Sequence, residues 1–298
     1  MNKKMSILLS GALIAGLLAG CGAKDSKTTA SPSPTPAAEQ SFSTNQNQKW
    51  ADGTYYAADD KFDEKSGWKE AVILKVKDGK ITDANWTTIN VNGGADKKEA
   101  SKDGTYGMKK NGKAQSEWHE QAEKVEKYLI EKQDPKAIKY KDDEGHTDAI
   151  SGVSIHVKNF FTLADKALLA GPAKEGQYKD GGYHAEGQAD KDGWVPTVDL
   201  TVLNGNIVAA NWDSVKKDTN ETKKQLSKDG KYGMKEKGKA QGEWHEEIAK
   251  AEQFLIDNQD PAKFQVKDDG KTDAVSGVTV HVNDYVSLTQ KALDGAKK

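Results

Sequence analysis

The chain carries the same unit twice, and this duplication limits its possible folds more than any other feature. Ser101–Pro135 aligns without a gap on Ser227–Pro261, and 23 of these 35 positions are identical. The register extends outward. Trp68 and Trp86 fall on Trp194 and Trp212 at the same offset, and after the loss of one residue Asp148–Ser154 falls on Asp273–Thr279. Units of about 120 residues are too long for a solenoid, whose repeats run roughly 20–50 residues, and suit two tandem globular domains. The expected boundaries are 50–171 and 177–296.

Each unit opens on strand-like segments. Ala71–Val76, a turn at Lys77-Asp78-Gly79-Lys80 and Ile81–Trp86 read as a β-hairpin, because Asp-Gly tolerates the positive φ angles of a tight turn. The second unit repeats it as Thr197–Leu203, Asn204-Gly205 and Ile207–Trp212. A helix follows, with Ala114, Trp118, Ala122, Val125 and Leu129 on one face, and Ala240, Trp244, Ile248, Ala251 and Leu255 in the second unit. Asp134-Pro135 and Asp260-Pro261 end these helices. A second helix is expected from near Ser151, with Val153, Val157, Phe160, Ala164 and Leu168 as its apolar face; Val278, Val282, Tyr285, Thr289 and Leu293 match them. Hairpins plus two helices per unit make an α+β class with a mainly antiparallel sheet.

Composition removes several function classes. Lys+Arg total 44 against 46 Asp+Glu in 298 residues, a net charge of −2, so the chain lacks the basic footprint of a nucleic-acid binder. Every basic residue is Lys, so no planar guanidinium can clamp a phosphate. A single Cys excludes a disulfide framework and multi-Cys metal sites. No His, Asp or Glu group shows metal-ligand spacing along the chain, and neither a Gly-x-Ser-x-Gly elbow nor a P-loop occurs. No metal is expected.

Residues 1–21 read as an export signal: Lys3 and Lys4 precede an apolar run, Ile7–Gly20, that is shorter than the roughly 20 residues of a membrane-spanning helix. Leu18-Ala19-Gly20-Cys21 resembles the lipobox of bacterial lipoproteins, which implies a lipid anchor on Cys21. Residues 22–49 turn to Ser, Thr, Pro, Asn and Gln, with Pro32, Pro34 and Pro36 alternating, and read as a disordered tether.

The informative stretch is Thr147–Ser154, matched by Thr272–Thr279. With Ser151 and Ser276 as N-caps, Ser154 and Thr279 would enter the first helical turn, where unpaired N–H groups and the helix dipole favour a phosphate. Gly152 and Gly277 would leave room for a bulky group. A well-capped helix with a hydroxyl in its first turn accounts for the same spacing.

The sequence D-A-[IV]-S-G-V-[ST] resembles the acceptor motif of the FMN-binding domain family, in which a flavin transferase joins FMN through its phosphate to the last hydroxyl. The resemblance implies covalent FMN on Ser154 and Thr279, two per chain as phosphoesters. It makes Asp148 and Asp273 the acidic residue the transferase requires, with Gly152 and Gly277 at the family's Gly position. The chain departs from the family at Val153 and Val278, where Ala is usual, and at Ser154, where Thr is commoner. Lipobox, tether and duplicated motif together resemble extracellular electron-transfer lipoproteins of Gram-positive bacteria. That implies a monomer lipid-anchored at the outer face of the cell membrane, an electron carrier rather than a dedicated reductase. Its partners would be a quinone-linked donor in the membrane and extracellular ferric iron or soluble flavins. The rival readings are a flavin-dependent reductase and a surface lipoprotein that binds a solute or wall polymer.

A flavin ring needs aromatic or apolar walls. Trp118/Trp244, Tyr106/Tyr232, Met108/Met234 and Trp86/Trp212 are candidates, although the helical Trp residues read first as core. His119/His245 and His156/His281 recur and read as surface or hydrogen-bonded positions.

Overall fold

Val72, Leu74 and Val76 point to one side of their strand and Ala71 and Ile73 to the other, and all five are buried. Successive side chains of a strand alternate between faces, so this sheet is covered on both sides. The computed structural model describes residues 50–112 and 114–298. Cys21, the lipobox and the tether expected at 22–49 lie outside the described residues.

In repeat one, strands β1 (Gly53–Ala58), β2 (Trp68–Lys77) and β3 (Lys80–Asn90) form an antiparallel sheet in that order. Helices α1 (Lys97–Lys102), α2 (Met108–Gly112), α3 (Trp118–Lys132) and α4 (Lys158–Ala170) follow. Repeat two runs through β4 (Gly181–Glu186), β5 (Trp194–Leu203), β6 (Asn206–Lys216) and a two-residue β7 (Glu221–Thr222), again antiparallel. Helices α5 (Lys223–Lys228), α6 (Met234–Gly238) and α7 (Trp244–Asn258), a 3-10 turn at Pro261–Phe264 and helix α8 (Asn283–Ala292) complete it. The expected hairpins are present and longer than their hydrophobic cores suggested, and Lys77 pairs with Lys80 across the Asp78-Gly79 turn. The result is an α+β fold with two antiparallel sheets.

Each repeat has its own core on the helical side of its sheet. Trp86 packs between Trp118 and Phe160, with ring centroids 5.2 and 5.1 Å away. Trp212 packs against Phe264 at 5.1 Å and Tyr285 at 5.5 Å. Trp86 and Trp212 are at most 1% exposed, which makes them core residues and removes them as flavin walls. The opposite sheet faces meet each other: Ala71, Ile73 and Ile89 from repeat one share a buried cluster with Leu203 and Ala209 from repeat two. Gly93 closes this seam, since a Cβ there would lie 2.4 Å from the carbonyl oxygen of Asp199. The described residues of both repeats fall in one compact unit.

Two buried polar ties recur. Gln133 ends α3 at φ 56° and returns to the sheet, accepting from Ile81 N–H at 2.8 Å and donating from Nε2 to Ile81 O at 2.8 Å. Gln259 does the same with Ile207. Glu126 and Glu252 each accept the backbone N–H of the core Trp, Trp86 or Trp212, at 2.6 Å, and pair with Lys98 or Lys224. Buried carboxylates of this kind persist only when paired and hydrogen-bonded.

The sequence misplaces one boundary. The last helix of each repeat begins at Lys158 or Asn283, not near Ser151 or Ser276. Gly152 (φ 73°) and Gly277 (φ 74°) take the left-handed region and break any helix there. Ser151, Val153 and Ser154, with Ser276, Val278 and Thr279, therefore occupy loops, and the caps are Val157 and Val282. Ala114 and Ala240 likewise precede their helices. The short helices α1, α2, α5 and α6 lie between the hairpin and the long helix of each repeat. Among the described residues, no helix is long and apolar enough to cross a membrane.

Candidate functional site

With its helical turn gone, the acceptor loop needs another partner for its N–H groups, and the long helix supplies it. Glu247 stands three residues into α7 and is fully buried. Its Oε2 accepts Thr279 N–H at 2.6 Å, Val280 N–H at 3.2 Å and the Thr279 hydroxyl at 2.9 Å. In repeat one the amide of Gln121 takes this place: Oε1 accepts Ser154 N–H at 2.7 Å and the Ser154 hydroxyl at 3.3 Å. Both hydroxyl-bearing residues are exposed, so the oxygen is anchored from beneath and open above.

One turn along the same helix face, Lys250 donates to Gly277 O at 3.4 Å, as Lys124 does to Gly152 O at the same distance. Both lysines are exposed. They place an ammonium beside each acceptor loop of a chain that has no Arg, which is where a phosphate's charge would need one. Asp148 and Asp273 are exposed at the start of the loop and pair with Lys141 and Lys267. The anion-binding helix N-terminus expected at Ser154 and Thr279 is absent from these positions, and the loop N–H groups are taken by Gln121 and Glu247 on the long helix.

Next to Thr279 lies a cavity of about 210 Å³, lined by Val280 and His281 of the same loop and by Trp194, Lys223, Tyr232, Met234, Trp244 and Tyr285. Of the expected walls, Tyr232, Met234 and Trp244 are therefore in place. Trp194, Lys223 and Tyr285 were not among them, because the fold brings them from β5, α5 and α8. Burial pushes the Tyr232 and Tyr285 hydroxyls up, so both rings present neutral phenols. Burial pushes the Lys223 ammonium down, opposed by Asp190. Lys223 Nζ lies 5.4 Å from the Trp194 ring.

The corresponding space in repeat one is differently filled. Lys97 Nζ lies 5.0 Å from the rings of Trp68 and Tyr106 and 5.7 Å from that of Trp118. Three aromatic faces around one ammonium form a cation–π cage, and burial lowers the Lys97 pKa. Lys223 stands at the equivalent position of repeat two, against Trp194.

The recurring histidines divide. His119 and His245 bond through Nδ1 to Ser101 and Ser227 at 2.9 and 2.8 Å and act as ties between helices. His281 lines the cavity, whereas His156 meets Glu144 and His146, a grouping that chain order conceals.

No family model and no curated protein matches the sequence. Solved structures do. A solution NMR structure of a structural-genomics target from Clostridium thermocellum is 62% identical where it aligns, covering 40% of this chain and 90% of that one at a TM-score of 0.33. A crystal structure of a Clostridium perfringens protein, also a structural-genomics target, is 31% identical over 41% of this chain and 88% of that one, at a TM-score of 0.32.

Proposed function

We propose that the chain is a covalent flavoprotein that carries FMN on Thr279 and Ser154 and relays electrons at the outer face of a bacterial membrane, to which Cys21 anchors it. The observation that carries this reading is the setting of Thr279: an exposed hydroxyl held on the buried Glu247 carboxylate, with Lys250 at one side and an aromatic cavity at the other. Delivery of FMN from a flavin dinucleotide would break its diphosphate bond and release the nucleoside monophosphate, while Glu247 Oε2 would take the hydroxyl proton as Thr279 Oγ1 becomes the ester oxygen. Lys250 would neutralise phosphate charge. Trp194, Tyr232, Trp244 and Tyr285 would exclude water from a ring, and Lys223 would face its polar edge. Bound FMN exchanges one or two electrons, which suits transfer from a two-electron quinol to a one-electron acceptor such as ferric iron. The chain's own residues would hold and orient the group.

The decisive experiment is co-expression with a flavin transferase. The chain should be yellow and keep its flavin fluorescence after boiling and denaturing electrophoresis. Thr279→Ala and Ser154→Ala should each remove one flavin mass, and the double variant both. Colourless protein, or two flavins on a single variant, overturns the assignment. The aromatic cavity also suits a sugar ring, so saturable binding of a wall oligosaccharide by unlabelled protein would favour the binding-lipoprotein reading instead.

A further inference from the structure

The loop before α4 also gathers three side chains that carry ligand atoms. Atoms of Glu144, His146 and His156 all lie within 4.8 Å of one another. Glu144 Oε2 is 3.8 Å from His156 Nε2 and 3.9 Å from His146 Nδ1. The two imidazoles stand edge to face, centroids 4.2 Å apart at 88°. We infer that Glu144, His146 and His156 form a two-histidine, one-carboxylate site for a divalent first-row transition ion such as Zn²⁺.

Three observations support this. The grouping is built by the main chain rather than by chance rotamers. Val157 N–H donates to Gly145 O at 2.9 Å and Lys141 N–H to His146 O at 2.7 Å, which folds the loop onto the start of α4 and brings residue 156 back to residues 144 and 146. His146 also carries an outer carboxylate: its Nδ1–H donates to Asp142 Oδ2 at 2.7 Å, while Asp142 Oδ1 holds the Gly145 and His146 N–H groups. An imidazole oriented in this way by a second carboxylate is the usual arrangement around a bound metal, and it leaves Nε2 as the coordinating nitrogen. Ligands about 2.1 Å from a tetrahedral ion sit roughly 3.4 Å apart; Glu144 Oε2 and His156 Nε2, 3.8 Å apart, are near this separation, and the His146 ring, held through Nδ1, would bring Nε2 to the same ion.

Repeat two is an internal control. The same main-chain bond is there, Val282 N–H to Gly270 O at 2.8 Å. Yet Lys267-Asp268-Asp269-Gly270-Lys271 replaces Lys141-Asp142-Asp143-Glu144-Gly145-His146, so the one-residue deletion removes the Glu144 position and Lys271 stands for His146. His281 is left alone with a cation where the partner ligand would be. Imidazole with carboxylate selects Zn²⁺, Ni²⁺, Cu²⁺ or Fe²⁺ over Mg²⁺ and Ca²⁺, and three protein ligands leave a position for water or an exogenous group. The site needs no flavin and stands or falls separately from the proposed function.

The test is calorimetric titration of the full chain, purified without a histidine tag and stripped with chelator, using ZnCl₂, with CoCl₂ as the spectroscopic probe. One Zn²⁺ per chain is expected, and Co²⁺ should give visible ligand-field bands. His146→Lys, which copies repeat two, should abolish both signals, and Asp142→Asn should weaken binding about 10–100-fold. His281→Ala should leave Zn²⁺ affinity as it is, and circular dichroism should report an unaltered fold in all variants. Absence of saturable binding, equal affinity in His146→Lys, or loss of binding in His281→Ala overturns the site.

Discussion

Glu247 Oε2 stands 2.9 Å from Thr279 Oγ1, and the equivalent contact in repeat one is an amide, Gln121 Oε1, 3.3 Å from Ser154 Oγ. The two repeats thus hold one backbone loop with the same geometry and different chemistry, because either oxygen satisfies the loop N–H but only the carboxylate can accept the hydroxyl proton. Thr279 is therefore expected to take up flavin before Ser154. Glu247→Gln should keep the loop, as Gln121 shows, and lower the rate of labelling at Thr279 to that at Ser154. Gln121→Glu should raise the latter. Time-resolved intact mass during labelling checks both.

Lys223 places its ammonium in the cavity of repeat two, against Trp194. A cation near the ring stabilises the reduced, more anionic form. In a Ser154→Ala background, Lys223→Met should shift the flavin midpoint potential to more negative values, read by spectroelectrochemistry. A potential that stays put would place the ring elsewhere.

The buried pairs carry stability rather than function. Lys224 and Glu252 are both largely removed from solvent, and Glu252 Oε1 also receives the Trp212 N–H. Lys224→Met strands the carboxylate and should cost about 3–5 kcal/mol, whereas replacing both partners with apolar residues should cost far less. Urea unfolding of the three proteins gives the comparison.

Burial pushes the Glu252 carboxyl above its ordinary value of 4.5, with Lys224 opposing. The folded state then binds the proton more tightly than the unfolded chain. This favourable linkage is fully present below pH 4.5 and is lost as pH rises through the folded-state pKa. Relative to Glu252→Gln, the native chain should therefore gain stability as pH falls from 7 to about 4.5, measured by paired melts.

Gly93 tests the seam between the sheets. An alanine there meets the Asp199 carbonyl and must also hold φ 68°. Gly93→Ala should destabilise by more than the about 1–2 kcal/mol of the backbone angle alone, lowering the melting temperature. Gly94→Ala, with φ 81° and open space around its Cβ position, should cost the angle only.

What the linear chain determines here is whatever is local or periodic. The duplication is read by direct alignment, and the Asp-Gly and Asn-Gly hairpins and the apolar stripe through Trp118, Ala122, Val125 and Leu129 rest on spacing within a few residues. They recur in the structure because strand pleat and helix turn impose those periods on any chain. The position of the last helix was not legible, because the glycine at 152 or 277 outweighs the serine cap before it, and the loop's N–H groups find Gln121 or Glu247 instead. Those partners lie 33 and 32 residues away from the hydroxyls they hold. Separation along the chain likewise hides Lys250 beside Gly277, Trp194 and Tyr285 in one cavity, and His146 beside His156. Chemistry at these places depends on which side chains share a few ångströms of space. Only the packing of sheet, long helix and returning loop decides that, because contact energies act through space and carry no record of sequence separation.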